Sequence, residues 1–189
     1  VTPGPLPRYP HFLKGKAVAH QSQVQDVFRK LGEYREEIIA LQRELVSRVA
    51  VGPDQGGPGE GEKAAYLQNL LTSWGLQVEN YPAPDPRVAG GERPNLVAYL
   101  PGRREEKVWV LSHLDVVPPG DVSLWDSDPY TLRVEGDRLY GRGTEDNHHG
   151  IVASLMAVKA LLDLGVTPSR TVGLALVSDE ETGRDRKSV

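Results

Sequence analysis

Three short clusters in this 189-residue chain have residue types and spacing that could do chemistry. The first is Ser112-His113-Leu114-Asp115, directly after the apolar run at 108–111. Residues two apart on an extended chain point to the same side, so His113 and Asp115 can act together. An imidazole bound to a metal through one nitrogen needs its other N–H fixed, and a nearby carboxylate often does this. The second is Gly141-Arg142-Gly143-Thr144-Glu145-Asp146-Asn147, whose glycines permit a sharp turn or a close approach. Asp146 reads either as the cap of the helix that follows or as a carboxylate whose two oxygens bridge two cations. The third is Asp179-Glu180-Glu181-Thr182-Gly183, after the apolar run at 172–177. Adjacent residues on an extended chain face opposite ways, so one glutamate could bind metal while the other handles a proton; a solvated acidic loop is the plainer alternative.

All three clusters fall at strand ends or at a helix start, where open α/β sheets bind ligands. One imidazole and several carboxylates form a nitrogen and oxygen donor set suited to zinc, with cobalt or manganese as alternatives. His148 and His149 could add ligands, but a first-turn position favours facing solvent or supporting a ligand from behind. The glycine-rich stretch at 56–61 imitates a phosphate-binding loop. No strand precedes it, Pro58 interrupts it, and it lacks a Gly-Lys-Ser/Thr ending, so nucleotide binding is discounted.

The order and spacing of four motifs carry a resemblance. They are His113-Leu114-Asp115-Val116-Val117-Pro118, Trp125 with Asp128-Pro129-Tyr130, Leu139-Tyr140-Gly141-Arg142-Gly143 with Asp146, and Asp179-Glu180-Glu181-Thr182-Gly183. Over residues 33–183 the chain resembles the co-catalytic zinc metallopeptidases that include aminoacylase, acetylornithine deacetylase, succinyl-diaminopimelate desuccinylase and glutamate carboxypeptidase. The resemblance implies two divalent metal ions, zinc foremost. His113 would bind one, Asp146 would bridge both, and Glu181 would bind the other. Asp115 and Glu180 would take the catalytic roles, Asp115 orienting the imidazole and Glu180 acting as general base. The implied reaction is hydrolysis of an amide bond in a small acylated amino acid or peptide by a metal-activated water. The family also has a later, smaller domain that supports dimerisation, so a full-length homodimer is implied.

The chain departs from the family pattern at Asn147-His148-His149-Gly150, where members commonly have one residue and then Lys-Gly. The family also draws another carboxylate and a last histidine from well beyond the Glu-Glu pair, whereas this sequence ends six residues after Gly183 with Arg184-Asp185-Arg186-Lys187-Ser188-Val189. The expectation is therefore the N-terminal portion of a catalytic domain. Alongside the enzyme reading stands a truncated, inactive form that binds metal weakly or not at all.

The elements that must position these residues are legible as periodicities. Val24, Val27, Phe28, Leu31, Ile38, Leu41 and Leu45 recur at helical spacing, with Gly32 dividing or weakening the run. A second helix is expected over 63–74, closed by Gly75, and a third over 151–164, closed by Gly165. Strands are expected near 76–81, 95–100, 107–111 and 172–177, the third apolar enough to be buried on both faces and the last central. Glu135-Gly136-Asp137 marks a hairpin within 130–140. Strands alternating with helices predict an α/β sheet with helices packed on it, and the resemblance implies the mixed sheet flanked by helices of the phosphorylase/hydrolase-like zinc peptidase catalytic domain. Residues 1–20, with four prolines in the first ten, read as an irregular lead-in to a domain over 21–189.

Composition narrows the rest. A formal net charge of −4 suggests no nucleic-acid or anionic-membrane surface. No run is long enough to span a bilayer, and the first residues lack the apolar core expected of a signal peptide. The absence of cysteine rules out disulfides and thiolate ligands and fits a cytoplasmic location.

Overall fold

The computed structural model describes residues 17–182, with side chains from residue 21. Residues 1–16 of the lead-in expected over 1–20, and Gly183 with the six residues after it, lie outside the described residues, whereas 17–20 belong to a helix. In chain order the elements are α1 (Ala17–Gly32), α2 (Arg35–Ser47), α3 (Gly61–Ser73), β1 (Gln77–Asn80), β2 (Ala83–Pro84), β3 (Glu92–Arg93), β4 (Leu96–Leu100), β5 (Lys107–His113), β6 (Arg133–Glu135), β7 (Arg138–Tyr140), α4 (His148–Asp163) and β8 (Thr171–Val177). Helix α1 starts at Ala17, ahead of the expected Val24, and Gly32 does divide the first helical run in two. Gly75, at φ +80, follows the end of α3, and Gly136 turns the β6–β7 hairpin.

The main sheet runs in the order β1-β4-β8-β5. β4 is antiparallel to both β1 and β8, whereas β5 is parallel to β8. The parallel pair matters most, because it brings two carboxyl ends, at His113 and Val177, side by side. Along β4, Leu96, Ala98 and Leu100 alternate into the core and meet Leu176, Leu174 and Val172 of β8. That face packs on Leu41 and Leu45 of α2, Ala64, Leu67 and Leu71 of α3, and Ile151, Val152 and Leu155 of α4. Tyr34 locks the start of α2 to the end of α4, its hydroxyl donating to Asp163 Oδ2 at 2.6 Å with the Lys159 ammonium over its ring.

One strand differs from expectation. Val108, Trp109, Val110 and Leu111 are exposed, not buried on both faces. β5 is the last strand of the described sheet, so its outer edge has no neighbour there, and the face opposite the helices is open. On that face Trp109 meets Tyr99 edge-on at 5.9 Å across Gly173, where any Cβ would collide with the indole. A run of apolar residues signals a strand meant to be covered, but does not say which chain segment covers it.

The two leucine environments give a direct test. Leu155→Ala, at 0% exposure, should cost about 2–5 kcal/mol in urea unfolding. Leu111→Ala, at 69%, should stay within about 0.5 kcal/mol of the native chain.

Candidate metal centre

His113 closes β5 and is buried, and its imidazole is fixed at both nitrogens. Nδ1 lies 3.1 Å from the Asp115 carbonyl oxygen and 3.5 Å from its carboxylate. Nε2 lies 2.9 Å from Asp146 Oδ1 and 3.9 Å from Glu180 Oε2. The backbone of Asp115 thus holds the ring more closely than its side chain does. The Asp115 carboxylate, almost fully buried, has another task. It accepts the Glu180 N–H at 3.2 Å and the Glu181 N–H at 2.9 Å, tying the first cluster to the third.

Asp146 arrives through the turn before α4. Gly143, at φ +84, packs so closely on the His148 ring and Val116 that a side chain there would collide with both. The other motif residues build the scaffold of that turn. Arg142 donates its N–H to the Pro129 carbonyl and lays its guanidinium over the Trp125 ring at 5.2 Å, while Trp125 Nε1 donates to Pro119. Asp128 ties down the Tyr130 N–H and the Thr131 hydroxyl.

One donor atom each from His113, Asp146 and Glu181 lies within 4.8 Å of the others. Their electrostatics fit a cation. Burial disfavours a charged His113, yet its hydrogen bonds to Asp115 and Asp146 prevail and raise its pKa to about 9. A proton between imidazole and carboxylate then occupies a place suited to a metal. Glu181 is pushed up by burial and by the Asp146 charge, the strain of two carboxylates facing one another. Asp115 is pulled down despite burial, by His113 and the two backbone N–H groups. The donor set and this excess of negative charge suit a divalent ion.

Two buried groups flank the site, and sequence reasoning singled out neither. Arg93 donates to Glu60 at 2.5 and 3.1 Å and to Asp179 Oδ1 at 2.8 Å, while the Thr182 hydroxyl donates to the same Asp179 oxygen. That network grips the turn carrying Glu180 and Glu181, where Asp179 itself sits at φ +72. Lys63 lies 2.7 Å from His148 Nε2 and donates to the Leu114 carbonyl at 3.0 Å. His148 is fully buried, so of the two expected placements, facing solvent or supporting a ligand from behind, the solvent-facing one is excluded for it. It shares a helix stripe with Ile151, Val152 and Leu155, which turns it inward. His149 is exposed and contacts the Glu145 carbonyl.

With this geometry the comparisons with known proteins are specific. The profile of peptidase family M20/M25/M40 matches residues 109–188. An uncharacterized metallohydrolase of Methanocaldococcus jannaschii is 39% identical over 155 residues, 79% of this chain and 38% of its own length. The chain belongs to the M20/M25/M40 peptidase family. A succinyl-diaminopimelate desuccinylase of Rhodospirillum centenum is 33% identical over 144 residues, covering 76% of this chain and 35% of the relative. Among solved structures, an M20 metallo-carboxypeptidase of Sulfolobus solfataricus superposes with a TM-score of 0.67 at 26% identity, over 78% of this chain and 32% of its own. Human carnosine dipeptidase 1 shares the fold, with a TM-score of 0.69 at 23% identity, over 84% and 35%. The chain thus spans about a third of the length of these relatives, as a partial M20 catalytic domain. No helix among the described residues is long and apolar enough to cross a membrane.

The buried His148 makes acid stability a readout of this region. Burial, with the Lys63 and His113 charges, lowers its pKa from the ordinary 6.5. As pH falls below 6.5 the unfolded chain gains a proton that the folded chain refuses, so the stability held above 6.5 is lost on acidification. From pH 6.5 to 5.5 the native chain should lose about 1 kcal/mol more than His148→Gln, measured by urea unfolding. Equal losses in the two chains would show that the ring is not held neutral.

Proposed function

We propose that this chain supplies the N-terminal donors of a two-metal centre that hydrolyses the amide bond of small N-acylated amino acids or peptides. In this reading His113 would hold one divalent ion, Glu181 would hold a second, and Asp146 would serve both. Zinc is the first candidate, and cobalt or manganese suit the same donors. The observation that carries the proposal is the convergence of His113, Asp146 and Glu181 within 4.8 Å, in a family of metallohydrolases. Bound there, divalent ions would polarise the scissile carbonyl and acidify a water.

The residues of the chain do the rest. Glu180 is largely exposed, with Oε2 3.9 Å from His113 Nε2, so its carboxylate has solvent access beside the donors. It is the group suited to take a proton from the attacking water at Oε2 and return it to the departing amine nitrogen. Asp115 positions Glu180 and Glu181 through their N–H groups, and fixes the His113 ring so that Nε2 faces Asp146. The desuccinylase and dipeptidase names among the relatives favour acylated amino acids and short peptides as the substrate class.

Zinc titration by calorimetry into the metal-free chain should show binding that Asp146→Ala lowers by at least tenfold. In the complete protein, Glu180→Gln should reduce kcat by about 10²–10⁴ while leaving zinc affinity within a few-fold. Hydrolysis that persists unchanged in excess chelator would overturn the reading.

A further inference from the structure

His113 and Asp146 reach the site from separate elements, the end of β5 and the turn before α4, and one buried amine stands between those elements. Lys63, on the first turn of α3, is 1% exposed. Its ammonium donates to the carbonyl of Leu114, the residue between His113 and Asp115. The same nitrogen lies 2.7 Å from Nε2 of His148, two residues past Asp146, and the His148 N–H in turn donates to the Gly143 carbonyl at 2.9 Å. One nitrogen thus bridges the backbone that presents His113 and the helix start that presents Asp146.

The chemistry of this contact is poor for stability. Both partners of Lys63 are neutral, and among the described residues it forms no ion pair with a carboxylate. Burial lowers the Lys63 pKa from the ordinary 10.5 to about 7, against the longer-range pull of Asp115 and Glu60. Burying an ammonium costs several kcal/mol, and a carbonyl and an imidazole return only part of that. An apolar side chain of similar length would pack at Lys63 with less penalty. His148 has a matching cost, because its Nδ1 is buried with no hydrogen-bond partner. Two polar side chains retained at such cost under the donors point to a geometric role.

We infer that Lys63 and His148 are positioning residues, whose contact through the Leu114 carbonyl fixes the separation of His113 Nε2 and Asp146 Oδ1 at a value suited to a divalent ion. The inference rests on the metal reading above and concerns how this chain's own residues are held.

Zinc titration and thermal melting of the 189-residue chain, native and Lys63→Met, test it. The thioether keeps the length of the side chain and removes its charge and donors. The expected result is zinc affinity weakened about 10–100-fold, as for other groups that orient metal ligands, with the metal-free melting midpoint unchanged or higher. His148→Gln, whose amide oxygen can still accept from the ammonium, should bind zinc within about threefold of the native chain. If Lys63→Met fails to fold, His148→Leu deletes the other half of the contact and takes its place, with the same loss of affinity expected.

Native affinity in Lys63→Met would overturn the inference and leave the metal reading standing. So would a lowered midpoint in Lys63→Met together with equal affinity losses in Lys63→Met and His148→Gln, the behaviour of ordinary core residues. A native chain that binds no zinc would remove the metal reading instead. Positioning is then decided by imidazole NMR of the metal-free chains, where the His113 signals should move in Lys63→Met and their constancy would overturn the inference.

Discussion

The Asp115 carboxylate is buried at the point where two parallel strands end, and the site depends on how that burial is compensated. β5 and β8 run side by side in register to His113 and Val177, and the Leu114 N–H donates to the Val177 carbonyl at 2.7 Å. Beyond that bond the two chains diverge. Asp115 spans the gap by accepting the N–H groups of Glu180 and Glu181, 65 and 66 residues further along. A carboxylate taken out of water needs such donors, and a turn bearing two acidic side chains needs something to hold it against neighbouring charge. Each requirement meets the other, which is why a residue that need not touch the reacting atoms is the most buried acid of the cluster.

Around this clamp lies a ring of polar contacts beneath an otherwise apolar core. Arg93 joins Glu60 at the start of α3 to Asp179, and Lys63 joins the same helix turn to Leu114 and His148. Both basic side chains therefore anchor the loops that carry the candidate donors to the beginning of α3. Buried charge is an expensive way to stabilise a fold but a directional one, and direction is what a metal centre demands of its donors. The apolar face of the sheet, packed on α2, α3 and α4, supplies the stability that these contacts consume. The opposite face, with Tyr99 and Trp109, and the outer edge of β5 stay open in the described residues.

Membership of the M20/M25/M40 family agrees with this arrangement at a coarse level, as part of a metallohydrolase catalytic domain. The relatives are nearly three times as long as the matched region, and their names span metallohydrolase, desuccinylase and dipeptidase. Shared scaffold with varied substrates is the usual outcome when a fold hosts a transferable site.

Much of this was legible in the residues. Helical and strand periodicity located most of the larger elements within a few positions, though α1 starts seven residues earlier than expected and the short β2 and β3 were not expected; Gly75 and Gly165 marked helix ends, and Glu135-Gly136-Asp137 marked a hairpin. His113, Asp146 and Glu181 were legible as candidate donors from their types and motif order, and the fold brings one potential ligand atom of each within 4.8 Å of the others. Three features depended on tertiary structure. The exposure of β5 follows from its place at the sheet edge, and an apolar run specifies only that it could be buried. The attachment of Asp115 to Glu180 and Glu181 through their backbones leaves no trace in side-chain pattern, since any residue carries an N–H. The burial of Lys63 and His148 was half visible, because both lie on the apolar stripes of their helices, yet a charged or polar residue on such a stripe is ordinarily turned to water. Sequence fixes which groups are available and along which face they point; which distant groups meet, and hence which charges are held dry, is decided only when the strands pair and the helices close over them.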